Sequence, residues 1–331
     1  MKLQGLKVMV VGGAGYIGSH MVKLLCKEGT SVVVLDDLSS GYRDAVVAGA
    51  ELVVGSAADA KLLDELFRRY RFDAVMHFAS FIQVGESVVE PAKYYANNVA
   101  TTLTLLDAMR AAGVLRFIFS STAAVYGDPE YVPINEVHPK NPINPYGRSK
   151  WMVEQVLEDY DRAYGLKSVC LRYFNAAGAD PEGELGERHV PETHLIPLVL
   201  QAASGRRDAI CVFGTDYDTP DGTCIRDYIH VADLCDAHAL ALQRLLGGGE
   251  SGHFNLGNGQ GFSVKEVIDT ARRVTGRAIP VRYEARRAGD PPRLVADAGL
   301  ARAQLGWQPK RADLETIVAD AWAWERKHPW G

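Results

Sequence analysis

Within the first 36 residues an apolar run, a glycine turn, an amphipathic segment, a second apolar run and an acid follow one another, and few folds accommodate that order. Residues 6–11 read as a short buried strand whose apolar and β-branched side chains run straight into Gly12, Gly13, Gly15 and Gly18. Residues 17–28 are helical in pattern, with Met21, Leu24 and Leu25 on one side and Gly29 as the stop. A second strand over 31–35 then delivers Asp36, 18 residues beyond Gly18. Strand, glycine turn, helix, strand and acid form a dinucleotide-binding fingerprint, in which glycines let the backbone approach a pyrophosphate at a helix N-terminus. Asp36 is placed to accept hydrogen bonds from the adenosine ribose hydroxyls. Its charge would repel a 2′-phosphate, so NAD is expected as the cofactor rather than NADP.

Downstream the alternation continues. Strands are expected over 51–55, 74–78, 116–120 and 168–174, with helices over 60–70, 94–112 and 146–164 between them. The fold class is therefore α/β, a Rossmann-like doubly wound parallel sheet. In such sheets ligands collect at the carboxyl ends of the strands. Gly12, Asp36, Ser80, Thr122 and Asn175 stand at those ends. Tyr146 and Lys150 share a helix face at i, i+4 spacing, 24 residues after Thr122. An ammonium beside a phenol favours the phenolate, so Lys150 is expected to pull the Tyr146 pKa below its usual value near 10 and make it a base.

Past residue 176 the pattern loses regularity, which marks a smaller, interleaved C-terminal substrate-binding lobe. The cofactor domain is expected over 1–175, with the chain returning to it around 223–250, and the substrate lobe mainly over 176–331. Helices are expected over 195–204, 231–246 and 263–275, the last with a Ser263/Glu266 capping box, and a final one is capped by Asp313.

With 47% apolar and 23% charged residues, the chain of 331 residues can bury a substantial core. A net charge of −5 and the absence of a long basic run argue against nucleic acid or an acidic membrane as partner. The five cysteines are odd in number and lack C-x-x-C pairing, so they suit reduced thiols and neither a disulfide framework nor a zinc site, and no metal is expected. No signal peptide precedes residue 6 and no apolar run reaches the length of a membrane span, so a cytoplasmic location is expected.

The glycine loop, His77-Phe78-Ala79, Val84-Gly85-Glu86-Ser87, Asn97-Asn98-Val99, Val125-Tyr126-Gly127, Tyr146 with Lys150, and Arg172-Tyr173-Phe174-Asn175 together resemble the UDP-glucose 4-epimerase family of the extended short-chain dehydrogenase/reductase superfamily. Phe213 to Tyr217, Asp221-Gly222-Thr223, Arg226-Asp227-Tyr228, Arg287 to Asp290 and Leu305 to Pro309 carry the resemblance nearly end to end. It implies an isomerase that uses NAD to oxidise the sugar C4, lets the 4-keto sugar turn, and reduces it on the opposite face, interconverting UDP-glucose and UDP-galactose. Catalytic roles fall to Tyr146, Lys150 and Thr122. Cofactor contacts fall to Gly12, Gly15, Tyr16, Ile17, Gly18, Asp36, Phe78, Ala79, Asn98 and Lys150. Contacts to the UDP-sugar fall to Thr122, Tyr146, Asn175, His194, Phe213, Arg226, Arg287, Asp290 and Leu294. Relatives pair as homodimers through the helices that carry Asn98 and Tyr146.

Three positions depart from the family pattern. Ser56 stands where an adenine-contacting aspartate is common, Ile82 where some relatives have a lysine near the nicotinamide, and Leu294 where sugar-restricted relatives have tyrosine. A leucine leaves more room, so UDP-N-acetylglucosamine is an expected second substrate. Other nucleotide-sugar enzymes of the superfamily fit less well. A 4,6-dehydratase needs an acid pair after Thr122, where Ala123-Ala124 stand, and a UDP-glucuronate epimerase needs an added cation. A non-catalytic NAD-sensing regulator would have no need of Thr122, Tyr146 and Lys150 together.

Overall fold

The computed structural model of the chain describes residues 3–287 and 290–328. Among these, seven strands form one sheet: β1 (Lys7–Val11), β2 (Ser31–Asp36), β3 (Ala50–Val54), β4 (Ala74–His77), β5 (Arg116–Thr122), β6 (Lys167–Tyr173) and β7 (Gly252–Leu256). Their spatial order is β7-β6-β5-β4-β1-β2-β3, and every pairing is parallel. Both faces are covered, which is why the strands read as continuous apolar runs rather than alternating ones. In β1, Val8 and Val10 enter one core while Met9 and Val11 enter the other, and β2 repeats this with Val32 and Val34 against Val33 and Leu35.

The principal helices are α1 (Tyr16–Lys27), α2 (Ala60–Arg69), α3 (Thr101–Ala111), α4 (Pro145–Tyr164), α5 (Leu195–Ser204), α6 (Val231–Leu246), α7 (Val264–Thr275) and α8 (Leu314–Lys327). α1 and α6 bury Met21, Val22, Leu25, Leu234 and Leu242 on one sheet face. On the other face α2, α3 and α4 bury Leu63, Phe67, Leu105, Leu106, Val153 and Leu157. The single helix expected over 94–112 is divided instead. Pro91–Tyr94 is α-helical, Tyr95–Ala100 forms a π-helical turn, and α3 follows. Such a turn inserts one residue into the helix and redirects a side chain, and the residue it holds at full burial is Asn98.

The six strands expected from the sequence are joined by β7, which pairs with β6 from Gly252↔Val169 to Leu256↔Tyr173. Within it Phe254 and Leu256 alternate with His253 and Asn255, a short period-2 pattern that sequence reasoning passed over. The return to the sheet domain thus extends past residue 250, and Ala298, Leu305 and Trp307 also join its core. The second lobe has its own core, built from Ile196, Val199 and Leu200 of α5, Val267, Ile268 and Ala271 of α7, and Ile317, Val318 and Ala321 of α8. α7 has the expected capping box, and Asp313 caps α8 through the Thr316 N–H at 2.7 Å. All five cysteines are free thiols. Among the described residues, no helix is long and apolar enough to cross a membrane.

Candidate active site

The glycine loop lies where β1 ends, between the carboxyl ends of β2 and β4, at the point where strand order reverses. A side chain at Gly12, whose φ is +80°, would come within 2.4 Å of the Ala79 backbone nitrogen, and one at Gly18 within 2.1 Å of the Gly12 carbonyl oxygen. The loop therefore exists in this form only with glycines. Gly15 is the N-cap of α1 and has no side-chain acceptor, and no acid stands in the first turn. The N–H groups of Tyr16, Ile17 and Gly18 open that helix, where an anion is favoured. Asp36, at the end of β2, accepts from Ala14 N (2.9 Å) and Leu38 N (2.9 Å), which locks the loop to the acid. Burial raises its pKa, and the two backbone donors work against that rise. Each carboxylate oxygen retains acceptor capacity for a ribose hydroxyl. These residues fit a dinucleotide.

Phe78 and Ala79 continue β4 past the loop, both donating their N–H to Val11 O. The Asn98 amide is engaged inside the protein: Oδ1 accepts from Phe81 N (2.9 Å), while Nδ2 reaches Phe81 O and Ser149 Oγ, each at 3.1 Å. Asn98 thus fastens the segment after β4 to α4. Ile82, on that segment, is exposed, and Ser56 accepts from Ala58 N ahead of α2.

α4 carries the Tyr146 phenol near its start. Asn144 caps it through Gly147 N (2.9 Å), Pro145 opens the first turn, and Tyr146 follows. The Thr122 hydroxyl, at the carboxyl end of β5, faces the Tyr146 phenol and favours its ionised form. One turn on, the Lys150 ammonium donates to Ser80 Oγ (2.6 Å) and Ser120 O (2.8 Å), and stands 4.8 Å from the Phe119 ring centroid. Electrostatics here corrects the expectation from the sequence. Burial pushes the Tyr146 pKa up, with only the Thr122 hydroxyl opposing it. Burial also brings Lys150 down to about 7, against the attraction of Glu154. Lys150 points its charge at Ser120 and Ser80, so in the protein alone the phenolate is not favoured.

The second lobe brings several expected residues together. Ile225–Arg226 pairs in parallel with Arg293–Leu294, which sets Leu294 opposite Arg226. Asp290 lies between two guanidinium groups, accepting from Arg287 Nε at 2.9 Å and standing 3.7 Å from Arg226. Arg287 also lies over the Phe213 ring at 4.7 Å. Ala288 and Gly289, between Arg287 and Asp290 in the motif, lie outside the described residues. Asn175 donates through its backbone (3.1 Å) and side chain (2.9 Å) to Asp227 O, tying the end of β6 to this lobe. Leu294 packs beside Val125, Tyr126 and Ile134.

His194 does not join Arg226, Arg287 and Asp290; its Nδ1 is 2.7 Å from Glu187 and 3.3 Å from Glu192. Burial disfavours the imidazolium, but Glu187 and Glu192 outweigh it and raise the His194 pKa to about 10. Sequence reasoning missed Ser80 as the Lys150 partner, Glu187 and Glu192. For the last two a signal existed in the Glu-x-His-x-x-Glu-x-His spacing over 187–194.

Residues 8–257 match the family described as NAD dependent epimerase/dehydratase. A UDP-glucose 4-epimerase of Halalkalibacterium halodurans is 52% identical, with 98% of this chain and 97% of that protein covered. The UDP-glucose 4-epimerase of Brucella ovis, solved in complex with NAD, superposes with a TM-score of 0.94 at 52% identity, over 96% of this chain and 98% of that one. The UDP-Glc/GlcNAc 4-epimerase of Campylobacter jejuni gives 0.86 at 46% identity, over 98% and 100%. With the glycine cradle, the Thr122–Tyr146–Lys150 group and these matches together, the chain belongs to the NAD-dependent epimerase/dehydratase family and, within it, to the UDP-glucose 4-epimerases.

Proposed function

We propose that this chain interconverts UDP-glucose and UDP-galactose at a site formed by Thr122, Tyr146 and Lys150 above the glycine cradle. The observation that carries the reading is that Thr122, at the carboxyl end of β5, meets the first turn of α4, which carries Tyr146 and, one turn on, the Lys150 ammonium bonded to Ser80 and Ser120. NAD, when bound, supplies reversible hydride acceptance at the sugar C4 and, in its oxidised form, a positive ring charge that favours the Tyr146 phenolate. Tyr146 takes the proton of the sugar 4-hydroxyl as C4 is oxidised to the ketone, and Thr122 holds that oxygen in line. The keto sugar turns about its link to the diphosphate, and Tyr146 returns the proton once the opposite face has been reduced. Proton and electron pair both return to the sugar, so no net redox change results. Arg226 and Arg287 hold the diphosphate, where guanidinium groups suit phosphate oxygens, and Asp290 orients them and meets the uridine ribose. Asn175 secures the join between the lobes.

Leu294 supports a second substrate. It lies opposite Arg226 and is flanked by apolar side chains, a setting that suits an acetyl methyl better than a tyrosine hydroxyl would. UDP-N-acetylglucosamine is therefore also turned over.

The functional unit is a homodimer joined through α4 and the segment carrying Asn98; α4 leaves Met152 and Tyr164 exposed. Its free thiols suit the reducing cytoplasm. The purified chain given UDP-galactose should form UDP-glucose without any added reductant. Absence of UDP-glucose formation with NAD supplied would overturn the assignment.

A further inference from the structure

Ahead of α5, four side chains from an eight-residue stretch converge. His194 Nδ1 lies 2.7 Å from Glu187 Oε1 and 3.3 Å from Glu192 Oε1, and His189 Nδ1 lies 3.2 Å from Glu187 Oε1 and 3.7 Å from Glu192 Oε2. One donor atom from each residue falls within 4.8 Å of all the others. Both carboxylates are nearly enclosed, at 6% side-chain exposure. Yet the buried atoms Glu187 Oε1, His189 Nδ1 and His194 Nδ1 meet one another and Glu192 only as ion pairs, and none of them makes a hydrogen bond. Buried polar atoms without partners are rare and call for a missing one.

Charge and geometry agree on what is missing. Two enclosed carboxylates need two positive charges. Protonating both rings would supply them, at the cost of setting two imidazolium groups 5.3 Å apart, centroid to centroid. A single divalent cation supplies the same charge and leaves both rings neutral, with their Nδ1 lone pairs aimed at it. Donors about 2.0–2.1 Å from a tetrahedral zinc ion are about 3.3 Å from one another; the four His–Glu contacts here run from 2.7 to 3.7 Å, and the whole donor set lies within 4.8 Å. Magnesium and calcium prefer all-oxygen ligand sets, whereas two imidazoles with two carboxylates suit zinc. The other acidic group nearby, Asp180, Glu182 and Glu184, is different, since it closes on the Lys23 ammonium at 2.5 to 2.9 Å and needs no ion.

We propose that Glu187, His189, Glu192 and His194 form a structural zinc site, separate from the site of sugar chemistry. Four protein donors leave no open position, which is the mark of a structural rather than a catalytic zinc. The surroundings support the ligands: Glu192 Oε1 also accepts from Thr193 N (2.7 Å) and His194 N (2.8 Å), and Glu187 O accepts from Trp324 Nε1 (3.1 Å) of α8. The stretch lies against the glycine loop, where the Tyr16 ring meets His189 edge-on at 6.4 Å and Tyr16 Oη donates to Gly178 O at 2.7 Å. The ion therefore clamps a second-lobe segment against the flank of the cofactor loop.

The test uses the full-length, untagged chain and zinc itself. Metal content is measured by mass spectrometry after dialysis against zinc, and thermal unfolding is followed before chelation, after it, and after zinc or magnesium is restored. The expected result is about one zinc per chain, a lower Tm after chelation, and recovery with zinc but not with magnesium. His189→Ala and Glu187→Gln should each weaken zinc affinity about tenfold or more in competition with a chromogenic chelator. If one variant fails to fold, the wild-type chelation cycle and the other variant still decide. The proposal is overturned if the dialysed wild-type chain holds no stoichiometric zinc and its Tm ignores both chelator and zinc. It is equally overturned if both variants retain wild-type zinc affinity, because the ion would then lie elsewhere.

Discussion

At the residue scale, the chemistry depends on how a phenol, a hydroxyl and an ammonium are held. Burial biases Tyr146 and Lys150 toward their neutral forms, so the protein alone stores little phenolate. Removing the Tyr146 hydroxyl leaves the guanidinium pair and Asp290 untouched, since none of them contacts it. Tyr146→Phe should thus lower the epimerisation rate about 10²–10⁴-fold while UDP affinity, read by calorimetry, stays near that of the native chain. Near-normal turnover in that variant would rule out Tyr146 as the proton carrier. At Leu294 the quantity to follow is a ratio. Leu294→Tyr should depress turnover of UDP-N-acetylglucosamine relative to UDP-glucose by about 10–200-fold, the range a small steric change in an apolar pocket commands. An unchanged ratio would show that the acetyl group is accommodated elsewhere.

At the scale of elements, two chain ends set the site. Asn144 begins α4 by accepting from Gly147 N, which puts Tyr146 in the first turn, next to Thr122. Asn144→Ala should cost about 0.5–2 kcal/mol in urea unfolding, as lost N-caps do, and should lower kcat because the first turn carries the phenol. At the end of β2, Asp36 has a structural task besides the cofactor contact proposed for it, because it accepts from Ala14 N in the middle of the glycine loop. Asp36→Ala should therefore release the loop and the cofactor together. The native chain, denatured after purification, should yield NAD in substantial ratio to protein, and the variant should yield little. NADP in the native eluate would contradict the role given to Asp36.

For the whole molecule, a buried polar network ties the sheet to the site. The Arg172 guanidinium, 1% exposed, donates to Glu154 at 2.9 Å and to Tyr126 Oη at 3.0 Å, and Tyr126 in turn donates to Asn255 of β7 at 2.6 Å. Glu154 lies one turn beyond Lys150 on α4 and also accepts from Ser121 of β5. Truncating one partner of such a pair leaves a buried, uncompensated charge, so Glu154→Ala should lose about 3–5 kcal/mol in denaturant unfolding. A loss below ~1 kcal/mol would show that water or a neighbour takes the place of the carboxylate.

Acid should act through buried histidines. Burial, with the Lys150 charge adding to it, lowers His77 to about 3. Burial lowers His238 to about 4 against its hydrogen bond to Leu234 O, and its ring lies between Phe78 and Tyr173. Both rings stay neutral in the folded chain while the unfolded chain protonates them near pH 6.5. The unfolded state then binds more protons, so stability falls as pH drops from about 6.5 toward 4, by about 1.4 kcal/mol per pH unit for each ring once its unfolded form is fully protonated. His238→Gln should flatten that pH dependence of unfolding free energy. An equal slope in the variant would assign the acid sensitivity to other groups.

Much of this protein is legible along the chain because its determinants are local. The order of strand, glycines, helix, strand and Asp36 needs only the period of apolar residues and the sterics of glycine to be read, and the parallel sheet follows from it. The spacing of Tyr146 and Lys150 needs only the helix repeat, and Ser263 and Asp313 cap helices by contacts three residues away. What tertiary structure alone decided are matters of distance between remote segments. β7 exists because β6 offers an unpaired edge to a five-residue stretch whose alternation of Phe254 and Leu256 with polar neighbours is too short to stand out along the chain. Asn98 turned inward because Phe81 and Ser149 meet it across a π-helical turn. The charge states of Tyr146 and Lys150 departed from the expected ones because solvent exclusion, a property of the packed whole, outweighs the proximity that helical spacing implies. His194 came to lie against Glu187 and Glu192 for the same kind of reason, since the fold closes the 187–194 stretch on itself and buries both carboxylates beside the ring.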